Sequence, residues 1–166
     1  MLEATPRLAL SLLSAGQAQK ELTHNEALLR ADMLIQPVVQ AVGVATPPTA
    51  PDSGQCWIIG ASATGVWSGH DANLACWTEA GWRFVAPFAG LMVLDASSGQ
   101  IVRYTLGGWV SGTVNATQIR VAGIQVIGTQ QAAISNPSGG ATIDAEARIT
   151  LATILSALRS HGLIAT

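Results

Sequence analysis

The chain has 166 residues, of which 49% are hydrophobic and only 11% charged, with a formal net charge of −2. That length suits one domain with appendages or two small modules, and so little charge is unusual for the surface of a solvated monomer, which points to a chain that buries surface against other copies. Lys20 is the only lysine and the 8 basic residues are scattered, which argues against nucleic-acid binding, because that needs grouped Lys and Arg to displace counterions from phosphates.

From the N-terminus, Leu8-Ala9-Leu10-Ser11-Leu12-Leu13 is similar to the apolar core of a secretion leader. Glu3 spoils the positive start, the apolar stretch is short, and the pattern runs on through Gln17 to Glu21, so the segment is read as an extended or weakly helical part of the protein. No run reaches the roughly 18 apolar residues of a membrane span, since Gln36, Pro37 and Gln40 interrupt the best candidate. No membrane insertion is expected, and assembly is expected in the cytoplasm.

Thr23-His24-Asn25-Glu26 fits a capping box, in which the Thr hydroxyl and the Glu carboxylate satisfy each other's backbone amides, and it predicts a helix starting there. Leu28, Ala31, Ile35, Val38 and Val42 then recur in a heptad-like stripe, with Pro37 expected to kink or end the helix near Gln36. Leu28, Ile35 and Val38 are therefore candidate oligomerisation contacts. Gln17, Lys20, His24 and Asn25 form a polar cluster around the expected helix start; they are candidates for contact with a neighbouring surface, against the alternative of a solvated turn.

Thr46-Pro47-Pro48-Thr49-Ala50-Pro51 is a polyproline-like connector that separates helical from β-rich sequence. After it, short apolar or aromatic runs alternate with glycine-bearing turns such as Glu79-Ala80-Gly81 and Ser97-Ser98-Gly99, the pattern of an antiparallel meander or small barrel. A further strand or two is expected between Gln118 and Gly128. The predicted class is α+β: an N-terminal helical segment over 1–45, a small Trp-rich β module over 52–128, a linker over 129–141 and an amphipathic helix within 142–166.

Cys56 and Cys76 each precede a Trp, an echo that suggests related strands. They are too few for a zinc site and a disulfide needs an oxidising compartment, so buried thiols are the preferred reading. The chain has 5 tryptophans, and indole faces suit both a thin β core and stacking on sugar rings. Trp67, set among turn residues, is the candidate for sugar contact, with His70 and Asp71 beside it as hydrogen-bonding groups. The alternative is a core Trp and a loop-stabilising pair. The scattered histidines predict no metal, the glycine-rich stretches match no nucleotide-binding spacing, and no nucleophile elbow is present, so no cofactor and no catalytic residue is assigned. Asp71, Glu79 and Asp95 leave glycoside cleavage as a weak alternative.

The C-terminal helix is delimited at both ends. Asp144 is a good N-cap and Glu146 suits the positive end of the helix dipole; Gly162 suits a left-handed C′ position, with Leu163 placed to contact Leu158 in a Schellman motif. Ala147, Leu151, Ile154 and Leu158, widened by Leu155, make an apolar stripe that needs a partner to bury it. These are the main oligomerisation or docking candidates.

Two blocks carry a family resemblance. Leu-Ser-Ala-Gly-Gln-Ala-Gln-Lys-Glu-Leu-Thr-His-Asn-Glu-Ala-Leu from Leu13, with Gly-Val-Trp-Ser-Gly-His-Asp from Gly65 and Gly-Trp-Arg-Phe-Val-Ala-Pro-Phe-Ala-Gly from Gly81, resembles an uncharacterised family of proteins from alphaproteobacterial prophages and gene transfer agents. Asp-Ala-Glu-Ala-Arg from Asp144, continued by Ile-Leu-Ser-Ala-Leu-Arg-Ser-His-Gly-Leu-Ile from Ile154, is similar to the ending of phage head-fibre and tail-fibre proteins. The resemblance implies a virion structural component, a head spike or fibre or its base, that homo-oligomerises, binds a capsid or tail protein and supports host adsorption. It also implies a separate fibre or a cell-surface polysaccharide as further partners. Gln17, Lys20, His24 and Asn25 then become candidate particle contacts. Fibres favour threefold and capsid vertices fivefold symmetry, so trimer and pentamer both stay open. A capsule-binding carbohydrate module is the alternative function.

Overall fold

The computed structural model describes residues 4–16 and 20–165, and the chain divides into two compact units, Met1–Thr113 and Val114–Thr166. This division differs from the sequence reading: the N-terminal helical segment belongs with the β module, and the strands expected between Gln118 and Gly128 belong with the C-terminal helix.

In the first unit, helix α1 spans Lys20–Leu34. It starts ahead of the expected capping box, because Lys20, Glu21 and Leu22 are themselves good helix formers. Thr23 and Glu26 thus lie inside the helix, and the Glu26 carboxylate accepts from Arg83 Nε at 2.9 Å instead of returning to a cap. Its buried residues are Leu29, Asp32 and Met33, an i, i+3, i+4 set rotated by about one residue from the predicted stripe. The helix ends where Pro37 requires, with Gln36 in a left-handed conformation at φ 44°.

Asp32 is the residue around which the N-terminus folds. Only 1% exposed, its carboxylate accepts from Thr5 Oγ1 at 2.7 Å, Leu8 N at 2.7 Å and Arg7 N at 3.1 Å. The Arg7 guanidinium donates to the carbonyls of Asp32, Ile35 and Gln36, placing a cation on the carbonyl end of α1. Residues 5–10 are consequently a hydrogen-bonded turn, with Thr5 N to Leu10 O at 2.9 Å, rather than the extended or weakly helical segment expected.

Two four-stranded sheets follow. Strand β1, Val38–Val39, lies parallel to β6, Met92–Asp95, which continues antiparallel through β7, Ile101–Thr105, and β8, Gly108–Ser111. Strand β2, Val42–Val44, lies parallel to β3, Cys56–Ile59, which continues antiparallel through β4, Leu74–Thr78, and β5, Gly81–Val85. The two sheets therefore share one plan: a short strand running parallel beside a three-stranded meander. Their last hairpins match in detail, with Thr78 opposite Gly81 and Trp77 opposite Trp82 in one, and Thr105 opposite Gly108 and Tyr104 opposite Trp109 in the other. Each Thr hydroxyl donates across the turn to its glycine carbonyl, at 2.7 and 3.0 Å, and each aromatic pair meets edge to face at 5.2 Å.

Strand alternation sorts the side chains into two cores. Cys56, Ile58, Leu74, Cys76 and Val85 from one sheet meet Val39, Val93 and Val102 from the other, with Met33 of α1. The opposite face of the β2-β3-β4-β5 sheet carries Trp57, Ile59 and Ala75, packed with Trp67 and flanked by Trp77, Trp82 and Phe84. Cys56 and Cys76 face each other across β3 and β4 and form a disulfide, which corrects the buried-thiol reading. Trp77 N donates to Gln55 O, so the cysteines occupy a non-hydrogen-bonded antiparallel position, where side chains come closest.

The second unit contains hairpin β9, Ile119–Val121, with β10, Ile124–Ile127, and helix α2, Ala145–Ser160. Ala122 and Gly123 both have positive φ, at 49° and 81°, as the tight turn of such a hairpin requires. Helix α2 has the ends its sequence announces. Asp144 accepts from Ala147 N at 2.9 Å, Gly162 sits at φ 69°, and Leu163 N to Leu158 O and Gly162 N to Arg159 O, both 2.9 Å, are the two bonds of a Schellman motif.

Candidate functional site

The second unit is unusual in what it leaves uncovered. Among its described residues the only buried hydrophobic side chains are Leu155 and Ile164. Along the hairpin and the segments before and after it, Val114, Ile119, Val121, Ile124, Val126, Ile127 and Ile134 are exposed, and around α2 so are Ile143, Ile149, Leu151, Ile154 and Leu163. Each of these twelve residues is between 41% and 85% exposed. The hairpin's register puts Ile119, Val121, Ile124 and Ile127 on one open face, with Arg120 opposite Gln125 on the other.

The stripe on α2 is split by function. Leu155 is buried and Leu158 half-buried within the unit, while Ala147, Leu151 and Ile154 stay exposed. The residues between hairpin and helix, read as a linker, are strapped to α2: Arg159 donates to Asn136 Oδ1 at 3.2 Å and to Ile134 O, Arg148 donates to Gly139 O, and Gln131 pairs in parallel with Ile164. With the backbone held by polar contacts rather than by a core, the apolar side chains are free to face outwards.

The N-terminal candidates are distributed differently from the prediction. Leu28 is half-buried on α1, Ile35 lies past the helix end and Val38 is in β1, so these three share no helical stripe; Pro37 ended the helix before the pattern was complete. Lys20 and His24 are exposed on the first turns of α1. Asn25 is committed internally, its amide exchanging bonds with Leu13 N at 2.9 Å and Leu13 O at 3.0 Å. Gln17 lies outside the described residues.

Of the sugar-contact trio, Trp67 takes the core alternative, and His70 and Asp71 bond within their own loop. Trp67 is 0% exposed, held in a short 3-10 turn, Gly65–Trp67, with its ring against Trp82 at 5.0 Å and Trp57 at 6.3 Å; a ring so enclosed presents no face to a sugar. Its neighbours are turn residues, and the turn serves to lay this side chain on the sheet. His70 stacks on Phe84 at 3.8 Å and pairs with Asn73. The Asp71 carboxylate accepts from Ser62 N and Ala63 N, both at 3.0 Å, closing the same loop. Asp95 accepts from the Ser98 hydroxyl at 2.7 Å and the Ser97 hydroxyl at 2.8 Å, and these bonds hold its carboxyl below its ordinary range while burial opposes them. Among the described residues no group of three or more His, Cys, Asp or Glu is placed to hold a metal ion, and no helix is long and apolar enough to cross a membrane.

A family model, DUF2793, described as a protein of unknown function, matches residues 24–110, just over half of the chain. The chain belongs to this family. The DUF2793 match starts inside α1 and ends in β8, so it follows the first unit, with its paired meanders and Trp-rich face, and leaves the exposed hairpin and α2 outside. No curated protein matches the chain.

Proposed function

We propose that the chain is a structural component of a phage-like particle, a head spike or fibre or the base of one. It assembles as a homo-oligomer, mounts on a capsid or tail protein and supports contact with the host cell. The observation that carries this reading is the second unit. A segment of this size with Leu155 and Ile164 as its only buried hydrophobics among the described residues has too small a core to stand alone, so its open apolar surface is what copies of the chain bury in one another. The prophage-like motifs of the N-terminal block and the fibre-like ending at α2 give the assembly its setting.

Two experiments test it. Sedimentation of the full chain at micromolar concentration should give an oligomer, and Leu151→Asp with Ile154→Asp should dissociate the contacts of the second unit while the near-ultraviolet signal of the Trp cluster persists. A wild-type chain that sediments as a folded monomer sinks the assembly. Electron microscopy of particles with and without the chain should show a missing head or tail projection; identical particles refute the placement.

A further inference from the structure

We infer that the outer face of the β1-β6-β7-β8 sheet is a second self-association surface, on which two copies of the first unit pack face to face. In the sister sheet the corresponding face is covered by the chain itself: the connection between β3 and β4, residues 60–73, is long and lays Trp67 over Trp57 and Trp82. The corresponding connection between β6 and β7, residues 96–100, is a tight turn organised by Asp95 and provides no cover.

The sequence entering β6, Leu91 to Leu94 ahead of the buried Asp95, is nevertheless written for two covered faces. Strands buried on both sides read as continuous apolar runs, and Leu91-Met92-Val93-Leu94 is such a run, like Cys56-Trp57-Ile58-Ile59. All four residues of β3 are buried, whereas in β6 Val93 is buried and its neighbours Met92 and Leu94 are open. Register puts Val38, Leu94 and Ile101 in one row of this face, and Met92, Arg103 and Val110 in the next. A groove of about 660 Å³ runs along it between Pro37 and Phe88.

Three features select a second copy as the occupant. The face carries both a groove and projecting side chains to fill one, Met92 at 56% and Phe88 at 53% exposed, as an isologous contact requires, since each copy must supply both halves of it. Val38, Phe88, Met92, Leu94, Ile101 and Val110 are 36–56% exposed on or beside this one face, an apolar centre of the kind an interface core needs. Arg103 is the only charge in the two rows and sits beyond the groove, where its stem can pack and its guanidinium reach the rim. This surface is distinct from that of the second unit and stands whether or not that reading holds.

The test uses the full chain. Met92→Lys with Ile101→Lys, at solvent-facing strand positions, should halve the mass measured by sedimentation equilibrium while the thermal transition of the first unit persists. The Leu151→Asp/Ile154→Asp chain should still form dimers, which separates this contact from the other. In wild-type protein, amide hydrogen exchange over residues 92–103 should accelerate on dilution from micromolar to nanomolar. An unchanged mass in a folded Met92→Lys/Ile101→Lys chain overturns the inference. So does protection at residues 92–103 that is independent of concentration, which would mean the chain covers this face itself, and so does exposure at every concentration, which would leave the face to a different protein.

Discussion

Reducing the Cys56–Cys76 disulfide changes one covalent bond and no side-chain volume of consequence, so it isolates what the cross-link contributes. The cysteines are separated by 20 residues, and closing a loop of that length removes about 3 kcal/mol of conformational freedom from the unfolded chain. The native state loses little on reduction, because both sulfurs lie in the core between the sheets, at 0% and 2% exposed, where a thiol packs as a small apolar group. For a unit of about 110 residues the unfolding entropy is on the order of 0.23 kcal/mol/K, so 3 kcal/mol corresponds to a fall of about 13 °C in midpoint. Calorimetry should compare the oxidised chain with the same chain unfolded, reduced and refolded in reductant, since the buried bond is closed to reagent in the native fold. Midpoints within about 2 °C of each other, or two alkylatable thiols in protein folded under oxidising conditions, would refute the reasoning.

Asp32→Ala removes the acceptor for the Thr5 hydroxyl and the Arg7 and Leu8 amides; a loss of about 3 kcal/mol is expected in urea unfolding, and a loss below about 1 kcal/mol would show that the N-terminal turn does not depend on it. Asp95 has a folded pKa below its ordinary value of 3.8, so its stabilisation is present above that pH and is lost as the pH falls through the folded value. Asp95→Asn should therefore lower the melting temperature at neutral pH and flatten its decline in acid, and parallel curves for the two proteins would contradict the assignment. A Cβ on Gly60 would lie 2.7 Å from the Gly43 carbonyl carbon, backbone against backbone where β2 and β3 meet, so Gly60→Ala should cost about 1–3 kcal/mol or more, read as a lower urea midpoint.

What was legible in the sequence was what is decided locally. Both ends of α2 follow from residues within one turn of them: Asp144 at the start, Gly162 and Leu163 at the stop. The end of α1 at Pro37 was legible for the same reason. Its start was not, because the helix-forming Lys20, Glu21 and Leu22 carry the helix past the box, and Glu26 turns instead to Arg83, 57 residues away in sequence. The β character of the middle was plain, whereas the disulfide depended on a register that pairs residue 56 with residue 76, and a two-residue slip would have parted the sulfurs. The sequence left Trp67 open between sugar contact and core, because a turn reads as solvent-facing even when its purpose is to bury one side chain. The doubled meander had a signature that sequence alone displays, Trp77-Thr78 to Gly81-Trp82 beside Tyr104-Thr105 to Gly108-Trp109, and only the shared cross-strand geometry gives that spacing its meaning.

The low charge of the chain now has locations. In the first unit, apolar residues are spent on two cores, and one sheet face is left bare where its sister is lidded. In the second unit almost nothing apolar is spent internally. Folding of the two units therefore answers to different variables. The first has a core, a cross-link and the Asp32 anchor of its own, and its stability is set by burial and redox state. If the second gains its stability from the proposed association, that stability will depend on chain concentration. A single unfolding free energy does not describe such a protein. In the proposed particle, that difference joins a module with its own core to one whose stability comes from gathering several copies at a mounting site.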